Sequence, residues 1–127
     1  MECKNIIYGA NRLLGTAYPP SEENVFLEKA AYILATLFSE VGDIDKKYRE
    51  AFGLPPQPEY SLTYVSYDDE FPLCDRFVSA AEFYLASLII FEVDESRSDF
   101  LYEKYCDSIC SITESIPAML EKTSNVY

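Results

Sequence analysis

Apolar residues recur every three or four positions along most of the chain, and this period lapses only where prolines gather. Ile6, Ile7, Ala10, Leu13 and Leu14 share one face of a helix over residues 3–14, which Gly15 stops. The stretch "YPPSEEN" then reads as a loop, with Ser21 placed to cap the next helix and Glu22 and Glu23 favouring the positive end of its dipole. A second stripe follows at Phe26, Ala30, Ile33, Leu34, Leu37, Phe38 and Val41, then Ile44, Tyr48, Ala51 and Phe52. It keeps one face through Gly42, which predicts a single long helix with room for a bend there, ended by Gly53 and "LPP". Asp43 with Lys47 and Asp45 with Arg49 are acid-before-base pairs at i,i+4, worth roughly a few tenths of a kcal/mol each.

Residues 54–72, "LPPQPEYSLTYVSYDDEFP", hold four of the seven prolines and no helical period. They predict an extended crossing segment, in which Tyr60, Leu62 and Tyr64 alternate with Ser61 and Thr63 like a short strand. An apolar helix is expected from Leu73 to Phe91. Another follows, capped by Asp94 or Ser96, with a stripe at Leu101, Tyr105, Ile109, Ile112 and Ile116. Ser115 and Pro117 suggest a break and a last short helix to Lys122. The expected fold is all-α: one domain over residues 1–127, a bundle of about four to five helices with a Pro- and Tyr-rich segment crossing it.

Charge changes the picture more than length does. Among 127 residues, 10 basic side chains face 22 acidic ones, a net charge of −12. Residues 1–67 carry 9 acidic and 6 basic groups and residues 68–127 carry 13 and 4, so most of the acidity lies in the second half. Such a surface repels phosphate backbones and anionic lipid, which argues against direct nucleic-acid binding. "MECKNIIYGANRLLG" lacks the apolar core of an export signal, and the run from Val78 to Phe91 is too short to span a bilayer, so neither export nor a membrane anchor is expected. The expected compartment is a reducing one.

Cys3, Cys74, Cys106 and Cys110 raise the question of disulfides or zinc. Cys106 and Cys110 lie four apart on one helix face, unlike a C-x2-C knuckle, and the chain has no histidine to complete a tetrahedron. They are expected to be unbridged, metal-free and partly buried, with no cofactor implied. The lack of histidine also removes Ser-His-Asp and Cys-His nucleophiles and the Glu-x-x-His ligands of di-iron bundles. No phosphate-binding glycine motif occurs.

Glu82, alone within "SAAEFYLASLIIF", is the one candidate general acid. That role needs a second, differently tuned group, yet its i+3 and i+4 neighbours are Leu85 and Ala86. A carboxylate at the helix edge, bonded to a tyrosine hydroxyl or a basic side chain, is the simpler expectation. Leu85 and Leu88 are both expected in the core. Eleven tyrosines and eight phenylalanines without tryptophan make the aromatic content the more informative feature. The rings of Tyr60, Tyr64 and Tyr67 can be read as core lining or as docking area, since tyrosine offers wide contact with a polar tip. The candidate partner-binding residues are Tyr60, Leu62, Tyr64, Tyr67, Asp68, Asp69 and Glu70, on an arm whose removal is expected to leave the long helices intact.

The order "NRLLG", a long helix closing in "REAFGLPP", a linker with "YDDEFP", and "AAEFYLASLIIFEVDESRSDFLYEKY" resembles small all-α proteins encoded in the head-to-tail gene region of tailed phages and prophages of Gram-positive bacteria. The likeness covers roughly residues 6–112; the four cysteines and "FEVDES", in place of a more acidic turn, depart from it. It implies a virion structural or assembly protein, in the cytoplasm of a bacterial host or in the virion, that works by contacts with other virion or assembly proteins and not by catalysis; whether the chain forms a homo-oligomer stays open. The alternative is a small acidic inhibitor whose surface imitates nucleic acid and fills the groove of a DNA-binding enzyme. A carboxylate-based enzyme centred on Glu82 is the weakest of the three.

Overall fold

A computed structural model describes residues 1–15, 23–61, 65–66 and 68–117. Ser21, the side chain of Phe26 and the helix expected to reach Lys122 lie outside the described residues. Within them the molecule is all-helical: α1 (Cys3–Leu14), α2 (Glu23–Ala51), α3 (Val78–Ile90) and α4 (Glu95–Ser115), with a 3-10 turn over Asp75–Phe77 leading into α3. No strand forms among the described residues; one isolated antiparallel bridge joins Glu2 to Glu70.

Each helix follows from its stripe. In α1, Ile6, Ile7, Ala10 and Leu14 are buried, and Gly15 ends the helix at φ 62°, its amide closing back on Asn11 and Arg12. Helix α2 runs 29 residues, through Gly42 without a break, and buries Leu34, Leu37, Phe38 and Val41. Helix α3 is apolar all round because it packs against each of the other three helices. Asp94 caps α4, its Oδ1 accepting the Arg97 amide at 3.0 Å. Leu101, Tyr105 and Ile112 then face the core while Ile109 and Ile116 are half-buried.

Several expectations are corrected. Helix α3 does not start at Leu73, because Cys74 is held extended (ψ 155°) by its amide's bond to Asp45 Oδ1 at 2.9 Å. Leu88 is 40% exposed: it lies on the side of α3 that no other described element covers. Phe52 is also exposed, because α2 outruns the core and leaves the ring against Tyr48 at 4.7 Å. Cys106 and Cys110 are exposed on α4, whereas Cys3 is buried and Cys74 half-buried; all four are free thiols. Burial pushes the Cys3 thiol up to about 12 and that of Cys74 to about 11.

The crossing segment is no loose arm. Val65, Phe71 and Leu73 are buried in the same apolar cluster as the helices, and the Phe71 ring meets Phe38 edge-on at 5.8 Å. Burying side chains of this kind contributes roughly 1.5–3 kcal/mol each.

Candidate protein-binding surface

The segment is tied to α2 by a polar cluster that its own sequence did not announce. Asp45 is fully buried, and its carboxylate accepts Arg49 Nε at 2.8 Å, Gln57 Nε2 at 2.8 Å and the Cys74 amide at 2.9 Å. Arg49 in turn donates to the carbonyls of Pro55, Pro56 and Pro72 at 2.8, 3.4 and 2.9 Å. Prolines have no amide to donate, but their carbonyls still need partners, and one guanidinium supplies three. This is the pair expected to add a few tenths of a kcal/mol. Its burial makes it a structural hub.

Tyr60 belongs to the same clasp. Its hydroxyl donates to the Phe38 carbonyl at 3.1 Å and its ring meets Phe38 at 5.5 Å. The backbone at Gly42 comes so close that a Cβ there would meet the Tyr60 hydroxyl. Tyr60 is therefore mainly a packing residue. Leu62, Tyr64 and Tyr67 lie outside the described residues. Asp68, Asp69 and Glu70 are exposed, but each is engaged: Asp69 accepts the Ser66 amide at 2.9 Å on Oδ2 and the Cys3 amide at 2.8 Å on its carbonyl, and Glu70 pairs with the Met1 amino group at 2.6 Å. Asp68 reaches Lys4 at 4.0 Å. A depression of about 550 Å³ between α2 and residues 57–60 is bordered by Ser39, Asp43, Lys46 and Glu59 and is wide open to solvent.

Glu82 lies at the α1–α3 contact against Gly9: a Cβ there would meet its carboxylate, which would have to swing aside. Among the described residues neither a tyrosine hydroxyl nor a basic side chain bonds to it, contrary to expectation; Arg12 acts on it through charge. Burial raises its pKa above the ordinary 4.5, outweighing Arg12. The folded state therefore bears an ionisation cost that begins near pH 4.5 and is complete above the raised value. Glu82→Gln is expected to melt higher than wild type at pH 7, with the difference closing as pH falls toward about 4. Equal melting temperatures at pH 7, read by circular dichroism, would refute this.

An exposed aromatic and apolar surface also lies on α3 and α4. Tyr84, Tyr102 and Tyr105 form a cluster with ring centroids 4.9, 5.4 and 6.5 Å apart. Tyr105 donates to Glu40 Oε1 at 3.0 Å, joining α4 to α2. Burial, then Glu40, pushes the Tyr84 hydroxyl up to about 12 and raises that of Tyr105 as well. Tyr84 and Tyr105 are buried, but Tyr102 is exposed, and beyond it along the α3–α4 boundary Leu88 and Phe91 are exposed too. Glu95, Asp99, Glu103 and Asp107 stand exposed at every fourth position of α4. Sequence reasoning missed this surface because α3 has apolar residues on every side, which hides the side that is left uncovered.

Among the described residues no three metal-ligating side chains converge, and no helix is long and apolar enough to cross a membrane. No protein-family model, curated protein or solved structure matches the chain.

Proposed function

We propose that this chain is a non-enzymatic virion structural or assembly protein of a tailed phage or prophage, acting through protein–protein contacts in the host cytoplasm and in the particle. The observation that carries this reading is the exposure of the large apolar side chains Leu88 and Phe91, with Val93 in the turn that follows, on the most acidic part of the chain. Large apolar groups held in water beside carboxylates are the composition of a protein-docking surface. The resemblance of "YDDEFP" and "AAEFYLASLIIF" to head-to-tail region proteins supplies the setting. Deleting the gene from its native prophage is expected to leave host growth unchanged and to stop assembly of complete particles on induction. Normal yields of infectious particles would contradict the proposal.

A second reading, a nucleic-acid-mimicking inhibitor, is favoured by the α4 carboxylates, whose four-residue spacing corresponds to about 6 Å along the axis. A mimic of duplex DNA needs two such rows, and the flank of this one carries apolar side chains instead. Inhibition of a DNA-binding enzyme in proportion to added chain, relieved by excess duplex, would favour the second reading over the first.

A further inference from the structure

We infer that the seam between α3 and α4 is the docking surface for a cationic amphipathic helix of a partner protein; this rests on the protein-contact reading above. Two contacts fix how the helices align. Ser98 Oγ donates to the Ser87 carbonyl at 2.7 Å, and the Tyr84 and Tyr102 rings lie 6.5 Å apart. Leu88 and Phe91 stand one and two turns beyond Tyr84 on the same side of α3, so they line up beside Asp99 and Glu95 of α4. Leu88 is 40%, Phe91 54% and Tyr102 40% exposed. Tyr84 is buried, but Tyr102 stands level with it on α4, so the exposed stripe of Tyr102, Leu88 and Phe91 runs about 10 Å, two helical turns, which suits apolar side chains at i, i+4 and i+7 of an incoming helix.

Charge selects the occupant. Glu95, Asp99, Glu103 and Asp107 form successive i,i+4 like-charge pairs, each of which weakens a helix. Lysines or arginines along the flank of a docked helix would turn that repulsion into attraction. A second copy fits poorly, because a two-fold contact through this face would set the carboxylate row against itself.

The probe is a synthetic helical peptide with leucines at i, i+4 and i+7 and lysines on the flanking positions, compared with a scrambled peptide of the same composition by calorimetry. The native chain is expected to bind the ordered peptide and to bind the scrambled one at least about tenfold more weakly. Phe91→Asp and Leu88→Ser should each weaken binding by about tenfold while leaving the helical circular dichroism unchanged. Glu95→Lys with Asp99→Lys should slow association and flatten its salt dependence. The inference is overturned if the ordered peptide does not bind, if both peptides bind alike, or if the α3 variants bind as wild type does. Light scattering that shows a dimer dissociated by Phe91→Asp would overturn it equally, by giving the face to a second copy. A chain that enters particles yet ignores the peptide sinks this inference and leaves the assembly reading standing; one that binds the peptide through Leu88 and Phe91 but never enters particles does the reverse.

Discussion

Deleting residues 57–66 is expected to unfold the protein. The segment supplies Gln57, which bonds both Asp45 and the Gly42 carbonyl, and Tyr60, which caps the Phe38 carbonyl and packs on its ring. It also supplies Val65, which is 4% exposed within the apolar cluster. Losing the burial of Tyr60 and Val65 costs roughly 1.5–3 kcal/mol each, and stripping Asp45 of a hydrogen bond roughly 1–3 more. Against a total of about 5–15 kcal/mol for a small domain, that removes most of the stability. Helical circular dichroism and a thermal melt read the result directly. A deleted protein that keeps its helicity and melts cooperatively near the wild-type temperature would show that the helices hold together without the clasp.

Asp45→Ala carries the next largest effect, about 3–5 kcal/mol, because it leaves the Arg49 guanidinium inside the fold without its counter-charge. The Cys74 amide and Gln57 lose their acceptor at the same time. Arg49→Lys should also destabilise despite keeping the charge, since a single ammonium cannot span Asp45 and the carbonyls of Pro55 and Pro72 together. Urea unfolding curves at neutral pH measure both. A change of under about 0.5 kcal/mol for Asp45→Ala, the range of exposed helix pairs, would return the pair to the surface.

The contrast between these two residues and their sequence context shows what local pattern can and cannot convey. Helix α1 and its stop at Gly15, the length of α2 and the Asp94 cap were legible because each depends on neighbours within a turn or two. The role of Asp45 was not legible. An i,i+4 acid–base pair reads the same whether it is solvated or sealed, and what seals this one is a proline-rich segment 10 to 29 residues further on. Tyr60 shows the same limit: an aromatic ring in a segment without helical period fits core and interface alike until Phe38 is found against it. Leu88 fails in the opposite direction. On a helix apolar all round no period marks the outward side, and only the placement of α1, α2 and α4 decides which residue is left uncovered.

That uncovered side places the proposed contact surface on α3 and α4 instead of on residues 60–70. The shift keeps the proposed surface within the acidic second half of the chain and leaves the crossing segment a structural part. Asp68 and Glu70, exposed at its end, are paired with Lys4 and the Met1 amino group, and the Asp69 carboxylate accepts the Ser66 amide.

Quantitative mass spectrometry of particles purified from the native host after induction tests the assembly role most directly. The wild-type chain is predicted to be present in a fixed number of copies per particle, and the Phe91→Asp variant, folded and equally abundant in the lysate, to be missing or strongly depleted. Absence of the wild-type chain from both finished particles and assembly intermediates, at normal cellular abundance, would contradict it.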